Sequence, residues 1–236
     1  MEHLKIVTWN CNGAFRKKFN VINELNADIY VIQECENPKE SKDLGYLEWA
    51  KNFLWLGDSK HKGLGIFARE EISLELLDWT NNYEDNPIKH FLTCRVNSEF
   101  DLIAVWTHYN KSPTFGYIGQ FWKYLQLHKS NFKNCLIVGD FNSNSIWDKP
   151  NRAWNHTEVV KELEEINITS LYHYEGNQTQ GNEEHPTFFL QKNLNKPYHI
   201  DYIFGSNSFR KTLSKIEIGS AEYWLKLSDH LPVIYE

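Results

Sequence analysis

The chain has no apolar run approaching the roughly 18 residues that a membrane-spanning helix needs. Its N-terminal stretch lacks a basic segment followed by an apolar one, so no secretory signal is read there. Cysteine is sparse and has no CxxC spacing: Cys11, Cys35, Cys94 and Cys135 each lie in or beside an apolar run. That placement argues for reduced core thiols rather than disulfides or zinc ligands, and a cytoplasmic location is expected. Arginine is scarce, five against twenty lysines, and the net charge is −6. Such a balance excludes a strongly basic protein that coats nucleic acid. Low-complexity segments, Pro/Gly-rich linkers and short-period repeats are all missing. One domain over residues 1–236 is expected, a monomer by default.

What is present is apolar and aromatic. Hydrophobic residues make up 41% of the chain and aromatic residues 15%, nine of them tryptophan. That is enough to bury a sizeable core and excludes a disordered tail. Leu4–Trp9 and Asp28–Gln33 are compact apolar runs and predict strands. Leu64–Ala68 and Ile72–Leu77 predict a strand pair around the charged turn Arg69–Glu71. Phe91–Val96 and Leu102–Thr107 predict a second pair around Asn97–Asp101. Further strands are read at Asn134–Gly139, Thr187–Leu190, Ile200–Phe204, Lys215–Ile218 and Leu231–Tyr235. Helical spacing of apolar residues marks Arg16–Leu25, Phe115–His128 and Thr157–Ile166. Two sheets packed face to face with helices outside accommodate this pattern, with most Trp and Phe in the core.

Polar residues stand at the ends of the apolar runs, where a scaffold presents side chains to a site. Asn10 and Asn12 are two apart in WNCNG and share a face in extended chain. A carboxamide there can coordinate a hard cation or hold a phosphoryl oxygen, although Asn-Gly is also a common turn dipeptide. Glu34 ends IYVIQE, a position that suits a Mg²⁺ ligand and equally a solvated strand end. In LIVGDFN, Asp140 and Asn142 can orient a water and a phosphoryl oxygen with Phe141 turned to the core. An Asx turn would use the same two residues. Asp201 opens a strand in HIDYIF. In SDHLPV, Asp229 can serve a metal while His230 serves as a base whose tautomer Asp201 holds. His108 ends another apolar run, a setting where a lone histidine is more often packed than functional.

The strings KIVTWNCNG, DIYVIQE, GLGIF, LIVGDFN, HIDYIF and SDHLPV follow one another from residue 5 to residue 233. Together they resemble the endonuclease/exonuclease/phosphatase superfamily, the group containing exonuclease III, apurinic endonucleases and pancreatic deoxyribonuclease. The resemblance implies a four-layered α/β/β/α sandwich of two mixed, mainly antiparallel sheets with helices outside. It also implies a divalent-metal-dependent phosphoester hydrolase using in-line attack of an activated water. A nuclease acting on DNA or RNA is the leading expectation. The alternative is a phosphatase or phosphodiesterase acting on a nucleotide, a small phosphoester or a lipid headgroup.

Matching motif positions carries the roles over. Glu34 resembles the principal metal carboxylate and Asp229 the second, with Asn10 and Asn12 beside them, for Mg²⁺ or substituting Mn²⁺. Asp140 and Asn142 resemble the pair that orients water and phosphate, and His230 with Asp201 the histidine close to the phosphate. His108 falls where exonuclease III-like members carry Tyr and deoxyribonuclease- and phosphatase-like members carry His; it is expected to donate to a phosphoryl or leaving oxygen. Two features depart from the pattern: His199 stands where many members have Arg, and the chain is acidic where duplex binding calls for a basic groove. Lys51, Lys60, Lys62 and Lys111 are candidates for such a groove, and Phe115, Trp147 or Trp154 for base stacking. Tyr109 and Trp147 are the expected substrate contacts, and Ser143–His156 is expected to border the cleft.

Overall fold

The computed structural model describes residues 4–111 and 115–236. The first half of the chain forms β1 (Ile6–Asn10), β2 (Ile29–Cys35), β3 (Asn52–Ser59), β4 (Lys62–Ala68) and β5 (Leu74–Leu76). A small pair, β6 (Asn82–Tyr83) and β7 (Asn86–Pro87), precedes β8 (Phe91–Val96), β9 (Phe100–Trp106) and β10 (Cys135–Asp140). β11 (Ile168–Ser170), a ribbon of β12 (Phe188–Phe189) and β13 (Pro197–Tyr198), β14 (Asp201–Ser206), β15 (Ile216–Ile218) and β16 (Val233–Tyr235) follow. One sheet runs β15-β16-β1-β2-β4-β3 and the other β11-β14-β10-β9-β8-β5. Each contains one parallel pair, β1 with β2 and β9 with β10, among antiparallel neighbours.

Period-two alternation sends one set of side chains between the sheets and the other outward. Ile6, Val31, Leu64 and Ile66 of the first sheet meet Leu102, Ala104, Leu136, Val138 and Ile203 of the second in the central layer. Val7, Trp9, Tyr30 and Ile32 point outward onto Phe19, Tyr46 and Trp224 of the helices Phe19–Asn23, Leu44–Trp49 and Ala221–Trp224. Ile103, Val105, Ile137 and Phe204 face Phe121, Leu125, Val159 and Leu163 of the helices Ile118–His128 and His156–Glu165. This is the α/β/β/α sandwich that the sequence motifs imply. All four cysteines are buried and unpaired, as core thiols.

The strand pair expected around Arg69–Glu71 is a correction. β4 pairs with β2 and β3, whereas β5 pairs with β8 in the opposite sheet. The chain crosses from one sheet to the other at that turn instead of folding back. β3 carries the missing partner for β4; it is an edge strand with half-buried Phe53, Leu54 and Trp55, so its apolar pattern is weak.

Two parallel pairs in facing sheets end at the same rim of the sandwich. Asn10 closes β1 and Asp140 closes β10, and their side chains meet at 2.9 Å. The antiparallel β14 and β16 begin at that rim, preceded or opened by Asp201 and His230. Gly139 makes the approach possible. Its φ is 147°, and a Cβ there would lie 1.9 Å from the Val105 carbonyl oxygen. Gly139→Ala is therefore expected to lower folding stability by about 3 kcal/mol or more. The urea midpoint measures it, and a midpoint equal to that of the wild type would contradict the close approach.

Candidate active site

Asp140 is fully buried at the rim between the sheets. Its Oδ2 accepts from Asn10 Nδ2 and Asn142 Nδ2, each at 2.9 Å, and its Oδ1 accepts from the Asn142 backbone N–H at 2.8 Å. Asn142 also donates to the Thr107 carbonyl at 2.8 Å, which ties the turn to the end of β9. Asp140 and Asn142 meet through this Asx turn, with Asn142 at φ 45°, and not through strand alternation. Phe141 lies between them against Phe121 and Phe204, turned to the core as expected.

His230 stands opposite. Its Nδ1 lies 2.9 Å from Asp201 Oδ2 and its Nε2 4.0 Å from Asp140 Oδ2. Asp201 is held in place by its own backbone N–H, which donates to Thr187 Oγ1 at 3.0 Å. Behind His230, the Trp9 indole N–H donates to the His230 carbonyl, and Ser228 Oγ accepts from the His230 N–H and donates to the Asn10 carbonyl. Phe188 covers the ring at 4.5 Å. Thr8 and Gln33, bonded to each other at 3.0 Å, form part of the buried polar floor.

The electrostatics follow from burial. Loss of solvent pushes the Asp140 carboxyl up to about 7, opposed by His230 and Asn10 and reinforced by Asp201. Burial alone would lower His230, but the Asp201 and Asp140 carboxylates outweigh it and hold the imidazole up at about 9. At neutral pH the ring is a cation aimed at the rim.

Glu34 lies on the other flank. A bulge between Gln33 and Cys35 breaks the β2 register, and Glu34 takes φ 64°. The bulge re-aims the carboxylate: Oε1 lies 3.5 Å from Asn10 Nδ2, and Oε2 pairs with Lys62 Nζ at 2.8 Å. Asp229 is half-buried beside Ser228 and His230. Asn12 is exposed at φ 52°, outside the extended geometry that would align it with Asn10; its backbone N–H donates to Asn10 Oδ1. Glu34, Asp229 and Asn10 offer oxygen donors only, a set that fits a hard divalent cation, and the Lys62 ammonium against Glu34 already balances its charge. Asp140, Asp201 and His230 also bring ligand atoms within 4.8 Å of one another. The Asp201 bond to His230 makes that trio the better proton-handling group, since an imidazolium has no lone pair for a metal.

Other expected residues make their contacts outside this hydrogen-bond network. His108 bonds His90, which the motifs did not single out, at 2.6 Å. Tyr109 is 49% exposed with its ring 6.3 Å from Tyr117. Trp147 is 46% exposed, 5.1 Å from Tyr198; Tyr198 lies 6.3 Å from Phe188, which covers His230. Phe115 and Trp154 pack on each other and on Trp122, so their rings are occupied internally. Lys51 pairs with Glu48 and Glu70. His199 is buried and donates from Nδ1 to the His185 carbonyl at 2.8 Å. Phe188, Thr187 and Ser228 were missed because their roles are contacts across the chain, without a local motif.

A model of the Endonuclease/Exonuclease/phosphatase family matches residues 7–230. The chain belongs to that family. No curated protein matches it in sequence. Family folds of similar shape include the 3'-5' exonuclease NExo from Neisseria meningitidis, at 20% identity and TM-score 0.70 over 99% of both chains. A structure of the 3' phosphatase NExo from Neisseria with a product DNA hairpin is 19% identical, with TM-score 0.67 over 99% of this chain and 98% of that one. An AP endonuclease from Archaeoglobus fulgidus is 16% identical, with TM-score 0.73 over 99% and 98%. Among the described residues no helix is long and apolar enough to cross a membrane.

The His230 value has a sign that can be tested in this family member. Its folded pKa of about 9 exceeds the ordinary 6.5. The stabilisation it gives is therefore complete below about pH 6.5 and is lost as pH rises through about 9. Asp201→Asn should bring the His230 titration, followed by NMR of the ring, down toward 6.5. It should also remove much of the stability loss between pH 6.5 and 9. An unchanged titration would contradict the pairing.

Proposed function

We propose that this phosphoester hydrolase is a nuclease cleaving DNA phosphodiester bonds by in-line attack of a water. The observation that carries this reading is the buried Asp140 carboxylate, held by two carboxamides at 2.9 Å and faced by His230 at 4.0 Å. Family membership gives the reaction class, and the similar 3' phosphatase NExo, solved with a product DNA hairpin, supports DNA. The whole of residues 1–236 acts as one domain in this reading, supported by the family match from 7 to 230. A cytoplasmic location belongs to it too, supported by four buried, unpaired thiols that suit a reducing compartment.

Glu34, with Asp229 and Asn10 or Asn12 nearby, would hold Mg²⁺, or Mn²⁺ in its place. The bound ion would polarise a phosphoryl oxygen and offset developing negative charge. Asp140 would take the proton of the attacking water, and its value near 7 suits a base at neutral pH. The Asn10 and Asn142 amides fix the carboxylate so that one orientation faces the water. The His230 imidazolium, held by Asp201, would clamp a phosphoryl oxygen through Nε2. Tyr109 and Trp147 would offer their exposed rings to the substrate.

A second reading, hydrolysis of a terminal or small phosphoester, is favoured by the charge. The net charge is −6, and Lys51, Lys62 and Lys89 are each compensated by a carboxylate. A substrate with few phosphates needs fewer free cations than a duplex does. The test incubates the protein with Mg²⁺ and duplex DNA, single-stranded DNA, RNA or 3'-phosphorylated oligonucleotides. Cleavage should vanish with EDTA and return with metal. Asp140→Asn should lose at least about 100-fold in turnover while staying folded. Binding to polynucleotide should weaken linearly in log salt. Phosphate release alone, with internal bonds intact, would replace the nuclease reading by the second.

A further inference from the structure

His90 and His108 form a pair whose hydrogen bonds decide which of them can meet a substrate. The Asn110 backbone N–H donates to His108 Nδ1 at 3.2 Å. A ring nitrogen that accepts an N–H carries no proton, so His108 is the Nε2–H tautomer. That proton points at His90 Nδ1, 2.6 Å away, and the His90 proton is left on Nε2. Both nitrogens of His108 are thereby engaged within the protein. His90 Nε2 has no partner among the described residues. His90 is 5% exposed, and the sealed, unpartnered side-chain polar atoms among the described residues are Asn81 Oδ1, Trp154 Nε1 and His199 Nε2, so the unpartnered His90 Nε2–H keeps a small opening at the surface.

The pair is built into the site's rim. Trp106 lies in register with Asp140, its N–H donates to the His90 carbonyl, and its ring lies 4.6 Å from His90 and 5.2 Å from His108. Lys62, the partner of Glu34, stands 5.6 Å over the same Trp106 ring. His90 thus sits on the Glu34 flank, two strand spacings or about 10 Å from Asp140. Its φ is 64°, a left-handed conformation uncommon outside glycine.

We infer that His90, rather than His108, presents the donor N–H to a non-bridging oxygen of the substrate's phosphoryl group, and that His108 is its positioning residue. The inference rests on the phosphoester hydrolase reading. No proton is transferred. Burial lowers His90 to about 4 and lowers His108 in the same direction, within a surround of Asp58, Lys89, Lys62 and Glu34. The pair is neutral at pH 7, and a neutral ring stabilises growing oxygen charge as a fixed dipole. Donation from His108 itself, expected from its motif position, would require breaking one of its two bonds to the protein.

The test measures kcat and KM for wild type, His90→Ala, His108→Ala, the double variant and His90→Gln. The substrates are a DNA oligonucleotide and a p-nitrophenyl ester of a nucleotide, whose leaving group needs no proton. His90→Ala should lower kcat by about 100-fold on both substrates with little change in KM. His90→Gln, which keeps an N–H near the Nε2 position, should recover most of it. Adding His108→Ala to His90→Ala should cost little more, because His108 acts through His90. Ring ¹⁵N NMR of the wild type should find His108 protonated at Nε2. A further tenfold loss in the double variant, a loss confined to the oligonucleotide, or His108 protonated at Nδ1 would each overturn the assignment. An inactive wild type would remove the hydrolase reading itself, whereas an active wild type with an unaffected His90→Ala would remove only this one. Thermal unfolding of each variant separates lost donation from lost fold.

Discussion

A carboxylate buried at the seam of two sheets sets the terms for everything around it. Asp140 has no exposed surface, and a bare charge in such a place is costly. Three N–H donors from Asn10 and Asn142 and the nearby His230 cation offset that cost. Each of these partners is fixed in turn: Asn10 by β1, Asn142 by Thr107, His230 by Asp201 and Ser228. The network spans both sheets, so it forms only when the apolar central layer brings them face to face. Packing and chemistry are therefore coupled at one rim.

The rim has two sides with different electrostatic character. On one side, Asp201 and His230 form an ion pair that keeps a proton to high pH. On the other, Glu34 is re-aimed by a bulge and balanced by a flexible lysine, an arrangement that a small hard cation can replace. Between them the Asn10 amide touches both Asp140 and Glu34. One carboxamide thus links the proton-handling side to the side rich in oxygen donors.

The acidic composition has a structural counterpart. Two of the four lysines expected at a groove pair with local carboxylates, Lys51 with Glu48 and Glu70 and Lys62 with Glu34, as Lys89 does with Asp58. Exposed pairs of this kind stabilise the fold weakly and are easily exchanged. An incoming phosphate would compete with those carboxylates, so binding would carry a cost that a freely basic groove lacks.

Much of this was legible in the chain itself. Apolar runs that end in Asn10, Glu34 and Asp140, or that follow Asp201 and His230, marked both the strands and their functional ends, because burial makes runs apolar and function makes their tips polar. The strong hairpin of β8 and β9 and the helices at 118–128 and 156–165 followed from local periodicity. Other features needed the third dimension. β4 and β5 are neighbours in sequence but belong to opposite sheets, since pairing depends on which strands the core assembles. Alternation aligned Asn10 with Asn12 on paper, yet the left-handed turn at Asn12 separated them. His108 carried the motif position, but its hydrogen bonds to His90 and Asn110 decide what it can do. Sequence determined which residue types stand at strand ends. Tertiary structure decided their partners, because hydrogen bonds and ion pairs depend on distances between segments that no local pattern encodes.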